Sequence, residues 1–275
     1  MFLTLSLFVF IFGTIMGSFL NVVALRYNTG MSMTRGRSQC FSCGKGLSWM
    51  ELIPMLSYIV LGGKCSKCAS KISVQYLLVE LATGALFLAT FIHVVLGASA
   101  SAFTFVNLAT IIYYYFIWSI LIVISVYDFR HKIIPDALVF LFCFATFVAS
   151  LISFFYFHNN TILDIFAGPI LAMLPFGLLW LVSGGRWIGL GDAKLALGIG
   201  FMFGFVYGIS AIVMAFWIGA VVSIVLICAQ RVLSLSSKNL TMKSEIPFGP
   251  FLILGTIIIF FFGFDVMGLS AIFGF

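Results

Sequence analysis

Charge is what this 275-residue sequence has least of. Only 8% of its residues are charged, against 63% hydrophobic, and the mean hydropathy is +1.23. Soluble domains carry about 25% charged residues, so a soluble globular fold is excluded and a polytopic membrane protein is implied. Acids are scarcest, with 8 Asp and Glu against 14 Lys and Arg. The resulting net charge of +6 does not mark a nucleic-acid binder, because the bases are spread over short segments between apolar runs. Only 3 histidines are present, and no His-Glu-x-x-His, which argues against a zinc metalloprotease of that type. No dinucleotide-type glycine fingerprint is visible, so a Rossmann domain is excluded. Internal repeats and low-complexity linkers are also missing.

What is abundant is long apolar sequence. Runs at 2–25, 76–96, 104–127, 137–157, 162–182, 193–208, 209–229 and 250–271 predict an all-α membrane protein with about eight transmembrane helices, since about 20 apolar residues cross a bilayer as a helix. Gly208 is taken as the division between the sixth and seventh. The first run has no basic stretch before it and no Ala-x-Ala after it, which predicts a retained helix rather than a removed signal peptide. Residues 26–75 form the one long polar stretch. A single membrane domain, 1–275, is expected, with 26–75 inserted after the first helix.

The bases orient this arrangement. With eight spans and the N-terminus outside, the inside segments are 26–75, 128–136, 183–194 and 230–249, and they hold all 14 Lys and Arg. The outside loops hold none, only Asp164, Asp265, His93 and His158. This bias is the positive-inside pattern. It predicts both termini outside, 26–75 in the cytoplasm, and Asp128 and Asp192 at one cytoplasmic membrane face.

Four of the 6 cysteines lie in the polar insertion, as Cys40-Phe-Ser-Cys43 and Cys65-Ser-Lys-Cys68. Two thiolates two residues apart span one edge of a tetrahedral zinc, and two such pairs close the site. In a reducing compartment zinc is favoured over a pair of disulfides. Four protein ligands leave no open position, so such a zinc is structural. Cys143 and Cys228 sit alone in apolar runs and read as small core hydrophobes.

Asp128 follows one apolar run, in Tyr127-Asp128-Phe129-Arg130-His131-Lys132, and Asp192 opens another, in Gly189-Leu190-Gly191-Asp192-Ala193-Lys194. The glycines around Asp192 let another backbone come close. Two neighbouring carboxylates cannot both ionise cheaply, so one holds a proton while the other stays charged. Such a pair can do general acid and base work on a peptide bond through a water. The residues alone leave a second reading open: Asp128 paired with Arg130 and Lys132, and Asp192 as a helix N-cap. Asp136, after Pro135, reads as a helix N-terminal cap. Glu80 and Glu245 read equally as interfacial ion pairs or as ligands of a substrate.

These motifs together resemble the type IV prepilin peptidases, membrane aspartic proteases of bacterial pilus assembly and type II secretion. The resemblance runs through Gly17-Ser18-Phe19-Leu20-Asn21, the four cysteines, Leu47-Ser48-Trp49-x-Glu51-x-Ile53-Pro54, Glu80, Asp128, Pro135-Asp136, Gly189-Leu190-Gly191-Asp192-x-Lys194 and Ile246-Pro247-Phe248-Gly249-Pro250-Phe251. It implies Asp128 and Asp192 as catalytic residues and Cys40, Cys43, Cys65 and Cys68 as zinc ligands. Gly189, Gly191, Lys194, Glu245, Pro247 and Gly249 would shape the site. It implies cleavage of prepilin or pseudopilin leaders at the cytoplasmic face of the bacterial inner membrane. The long cysteine-bearing insertion is similar to that of bifunctional members, which implies N-methylation of the new N-terminus from S-adenosylmethionine. Glu51 and Glu80 are the candidates for contact with that methyl donor. Phe41 departs from the proline found in many members. The implied partners are the pilin substrates and membrane lipid, with no nucleic acid. A peptidase without methyl transfer, and a transporter with a cytoplasmic zinc clip, are the alternatives. Against the transporter, the acids lie at helix ends rather than mid-span.

Overall fold

A computed structural model of the chain describes residues 2–32, 36, 38–97, 104–157, 161–233 and 247–273. The described residues are helical apart from turns and two isolated antiparallel bridges, Gln39 with Gly46 and Lys64 with Lys71. In chain order the helices are α1 (Phe2–Arg26), α2 (Leu56–Val60), α3 (Val74–Gly97), α4 (Phe105–His131), α5 (Asp136–Ile152), α6 (Ile162–Ser183), α7 (Leu190–Leu233), α8 (Gly249–Phe262) and α9 (Leu269–Phe273). A short π-helical turn, Ser153–Phe157, extends α5. Six of these helical segments are long and apolar enough to cross a membrane. The chain is therefore an all-helical, multi-pass membrane protein, as its hydropathy predicts. It divides into two compact units, Met1–Val123 and Ile124–Phe275.

In the first unit α1 and α3 meet through small residues. A Cβ on Gly13 would lie 2.8 Å from Gly84 Cα, and one on Gly17 would lie 2.8 Å from Glu80 Cα. Glycines four apart share one helix face, and their missing side chains let two backbones approach where water gives no hydrophobic drive. Buried Asn21 donates from Nδ2 to the carbonyls of Gly17 and Tyr76, both at 3.3 Å. The early part of α4 is tied to α3: Tyr115 stacks on Phe87 at 4.1 Å and donates to its carbonyl at 3.1 Å, and Trp118 donates to Thr90 at 3.0 Å.

In the second unit the long helix α7 is interrupted. Gly204 takes φ +73°, ψ −159°, a conformation essentially reserved for glycine. A Cβ on Gly208 would lie only 3.2 Å from Gly200 Cα, whereas residues eight apart in a straight helix are about 12 Å apart. The chain therefore reverses at Gly204, and the 190–203 and 205–233 segments run back on one another. The sequence places this division at Gly208; the structure places it four residues earlier. Sequence cannot choose among Gly198, Gly200, Gly204 and Gly208, because the choice is made by what packs against each. Gly200 and Gly204 lie against α6, where added Cβ atoms would meet Pro169 Cα at 2.4 Å and Asp164 Oδ1 at 2.5 Å. Gly198 lies under the Phe142 ring of α5, with 2.4 Å from its Cβ position to Cε1.

The last apolar run is shorter as a helix than 250–271. α8 stops at Phe262, with Gly263 at φ +60° as its left-handed cap, the usual glycine C-terminus. Asp265 then accepts the N–H groups of Leu269 and Ser270 at 3.1 and 2.7 Å and starts α9. Gly255 of α8 sits against the Ala211 carbonyl of α7, 2.4 Å from its Cβ position.

Candidate active site

Both aspartates of the sequence reading belong to the second unit, and the structure buries both. Asp128 is 4% exposed and Asp192 is 9% exposed. α4 does not end before Asp128 but runs on to His131 and closes with Lys132 at φ +54°, whose N–H donates to the Asp128 carbonyl at 2.7 Å. The carboxylate thus stands in the last turn of a helix. Asp192 stands in the first turn of α7, whose start is Leu190, so it is inside the helix rather than its cap.

Asp128 Oδ2 accepts the backbone N–H of Gly249 at 3.1 Å. That N–H is free to reach it because Pro247, Phe248 and Gly249 turn the chain into α8. The lack of a side chain at 249 is required: a Cβ there would stand 2.7 Å from the same oxygen. Aromatic rings fix the turn from behind, Phe248 lying 4.9 Å from Phe216 and 5.8 Å from Phe176, ring centre to ring centre. Ile134, from the α4–α5 connection, fills the space between the two acid-bearing ends. It lies 2.8 Å (Cβ) from a Cβ position on Gly191 and 3.4 Å (Cδ1) from one on Gly249.

Asp192 is within Coulombic range of Asp128. Its Oδ1 is buried with no hydrogen-bond partner among the described residues. An unsatisfied buried carboxylate oxygen is costly unless a water, a proton or a substrate occupies it. Two residues on, Lys194 reaches away from the pair. Its Nζ donates to Asp136 Oδ1 at 2.7 Å and lies 5.1 Å from the Phe140 ring centre. Asp136 accordingly does not cap α5, contrary to the sequence expectation. Pro135 occupies the cap position without a side-chain bond, and the Asp136 carboxylate is spent on a cation 58 residues away. Glu245 lies outside the described residues.

In the first unit the four cysteines converge. The sulfurs of Cys40, Cys43, Cys65 and Cys68 all lie within 4.8 Å of one another. The two pairs are built alike. Cys40 N–H donates to Lys45 and Cys65 N–H to Ser70, each at 2.9 Å, while Gly44 and Ala69 donate back to the Cys40 and Cys65 carbonyls, also at 2.9 Å. Gly44 and Ala69 both take a left-handed φ, +67° and +55°. A tetrahedral zinc with about 2.3 Å bonds needs sulfurs about 3.8 Å apart, and Cys40 and Cys68 are 3.8 Å apart. The donor set and its spacing fit a four-thiolate metal. The hydroxyl of Ser70, then the backbone N–H groups of Cys43 and Ser42, hold the Cys40 thiol down to about 6. Against the Lys45 N–H, burial and the neighbouring thiols push Cys43 up to about 11, so a metal's charge would be needed to ionise all four.

Glu51 joins the two cysteine turns. Its Oε1 accepts from Lys45 Nζ at 2.9 Å and from the Ser66 hydroxyl, and its Oε2 accepts the Ser48 N–H at 2.7 Å and the Ser48 hydroxyl at 3.0 Å. Lys45 first, with Ser48 and Ser66, holds this carboxyl down at about 2. Glu80, buried in α3, accepts the Met55 N–H at 2.7 Å. Met55 is at φ +60°, ψ −51°, a strained γ-turn conformation.

Two segments of the chain match known families. Residues 11–94 match the bacterial peptidase A24 N-terminal domain, and residues 115–224 match the type IV leader peptidase family. A prepilin leader peptidase/N-methyltransferase of Bacillus subtilis is 31% identical over 258 residues, which is 92% of this chain and 93% of that protein. The chain belongs to the type IV leader peptidase family. A Pseudomonas aeruginosa protein of the same description is 28% identical over 87% of this chain and 84% of its own length. A Myxococcus xanthus one is 49% identical over 84 residues, which is 30% of this chain and 25% of that protein. No solved structure matches. In this leader-peptidase chain the four cysteines fall in the first matched segment, and Asp128 and Asp192 fall in the second. Ile134 and Phe248 are the site neighbours that sequence reasoning passes over. Ile134 gives no signal, being one aliphatic among many, and Phe248 is visible only as part of the Pro-Phe-Gly turn.

Proposed function

We propose that this chain is an aspartic endopeptidase that removes the leader of prepilins or pseudopilins at the cytoplasmic face of the bacterial inner membrane, and that it N-methylates the new N-terminus. The observation that carries the reading is the pair Asp128 and Asp192: two buried carboxylates in electrostatic reach, one with an oxygen that has no partner among the described residues. One carboxylate takes a proton from a water, which adds to the scissile carbonyl carbon. Its protonated partner hydrogen-bonds the carbonyl oxygen, then gives its proton to the departing amine as the C–N bond breaks. The proton belongs to the pair rather than to either residue. The Gly249 N–H holds Asp128 in place, and the missing side chain at Gly189, whose Cβ position meets only Asp192 Oδ2 and the Gly191 N–H, leaves room for an extended substrate backbone beside Asp192.

The membrane arrangement that fits this chemistry has eight apolar segments, the reversal at Gly204 dividing α7 into two, with both termini outside. Residues 26–75 then form a cytoplasmic module, in which Cys40, Cys43, Cys65 and Cys68 would hold a structural zinc. S-adenosylmethionine would supply the methyl group. Glu51 and Glu80 are better explained as struts, one bracing the cysteine turns and the other holding the strained Met55 turn, than as ligands of that donor.

Cleavage of a prepilin-like substrate by purified protein in detergent tests the peptidase. The native chain is expected to trim the leader, and Asp128→Asn and Asp192→Asn to be inactive while remaining folded. Cleavage by both variants at the native rate would defeat the mechanism. Transfer of label from S-adenosylmethionine to the trimmed product tests the second activity independently.

A further inference from the structure

One side chain spans the reversal at Gly204. Asp164, in the first turn of α6, uses its two carboxylate oxygens on two different helices. Oδ2 accepts from the backbone N–H and the hydroxyl of Thr161 at 2.9 and 2.7 Å, and the Asp164 N–H returns a bond to Thr161 Oγ1 at 3.2 Å. This is a capping box that starts α6. Oδ1 accepts the N–H of Phe205 at 3.0 Å, the first backbone donor after the reversal. Gly204 is the only residue type that fits between them, since its Cβ position lies 2.5 Å from Asp164 Oδ1. Just below, Gly168 and Gly200 seal the same crossing, with 2.7 Å from the first Cβ position to Gly204 C and 2.4 Å from the second to Pro169 Cα.

The segment that ends at this clasp carries Asp192 in its first turn. A helix from 192 to 204 is about 18 Å long and rigid. A slip of one residue at its far end would move Asp192 by about 1.5 Å and turn it by about 100°. We propose that Asp164 is a positioning residue: by holding the Phe205 N–H across the Gly204 reversal, it fixes the register in which the 190–203 segment presents Asp192 to Asp128. This inference rests on the peptidase reading above. The substitution that isolates the bond is Phe205→Pro, because proline lacks the N–H yet suits the first position of a helix. Phe205→Ala keeps the N–H and controls for the lost ring.

Steady-state cleavage of a prepilin-like substrate is measured for Phe205→Pro, Phe205→Ala, Asp164→Ala and Asp164→Asn, each checked by thermal unfolding in detergent. Phe205→Pro and Asp164→Ala are expected to lose about tenfold or more in kcat with KM little changed, as a reacting group displaced by about 1 Å would. Phe205→Ala, which keeps the N–H, is expected to stay near native, and Asp164→Asn to fall between, because its single amide oxygen cannot accept from both Phe205 and Thr161. Equal kcat for Phe205→Pro and Phe205→Ala overturns the proposal. So does a Phe205→Pro protein that fails to fold while Phe205→Ala folds, since the bond would then be structural only. A native chain that cleaves nothing defeats the peptidase reading instead. The register is then read from maleimide labelling of Asp192→Cys, expected several-fold faster with Phe205→Pro than with Phe205→Ala and overturned by equal rates.

Discussion

At Gly249 the backbone and the Asp128 carboxylate are so close that one methyl group decides the site. Gly249→Ala would put a Cβ 2.7 Å from Asp128 Oδ2, inside van der Waals contact, so the carboxylate must turn away and the Gly249 N–H bond must lengthen. We expect kcat to fall about a hundredfold with the unfolding temperature nearly unchanged, because the clash falls on a movable side chain rather than on packed backbone. Kinetics and a thermal melt on the same sample check this, and native kcat would show that Asp128 does not need that bond. A second single-residue effect lies in the cysteine module. Ala69 takes φ +55° at the position where the matching turn has Gly44. A left-handed conformation costs an L-residue about 1–2 kcal/mol, part of which glycine gives back as unfolded-chain entropy. Ala69→Gly should therefore strengthen the module by up to about 1 kcal/mol, seen as slower metal release to a chelator.

Whole elements meet in this chain at glycines, and the consequences differ from those of a methyl against a side chain. On α1, Gly17 faces Glu80 Cα at 2.8 Å from its Cβ position, a backbone atom that cannot step aside. Gly17→Val should force α1 and α3 apart and cost about 1–3 kcal/mol, measured as a lower midpoint of thermal unfolding. Val at a solvent-exposed or lipid-exposed glycine with open space, such as Gly97, should do far less. The two cysteine turns form an element of their own, and Glu51 touches both, through Lys45 and Ser66. Glu51→Gln keeps the shape but removes the charge that Lys45 faces, so metal affinity is expected to fall. The pH dependence gives the sign. Folding depresses Glu51 from the usual 4.5 to about 2, so its contribution is present above 4.5 and disappears only as pH falls through about 2. Metal loss in mild acid then reports protonation of thiolates alone. Native and Glu51→Gln proteins should lose metal with the same acid midpoint shape but from different starting affinities. A Glu51→Gln difference that vanished near pH 4.5 would mean an ordinary, unbraced carboxylate.

Over the whole chain, what could be read from sequence follows from how local each signal is. Long apolar runs specify helices without help, so α1, α3, α4, α5 and α6 fall close to their expected bounds. Two Cys-x-x-Cys pairs carry their own geometry, and acids are so few that Asp128 and Asp192 stand out unaided. The reversal at Gly204 is different in kind, because Asp164, 40 residues earlier in the sequence, selects that glycine. Lys194 likewise takes Asp136 away from the cap role its position suggests, and Ile134 matters only through the two glycines it meets. The same reversal bears on the membrane path proposed above. A continuous α7 crossing once would put Arg186 and Arg231 on opposite faces, whereas a chain that turns back at Gly204 returns both to one face, in keeping with the positive-inside pattern. Single cysteines introduced at 186 and 231, with Cys143 and Cys228 replaced by alanine, can be labelled in cells with a membrane-impermeant maleimide. Both are expected to stay unlabelled until the membrane is permeabilised, while a cysteine at Thr161 labels in intact cells. Labelling of 231 but not 186 from outside would mean that α7 crosses once and that the Gly204 turn is a kink within a single span.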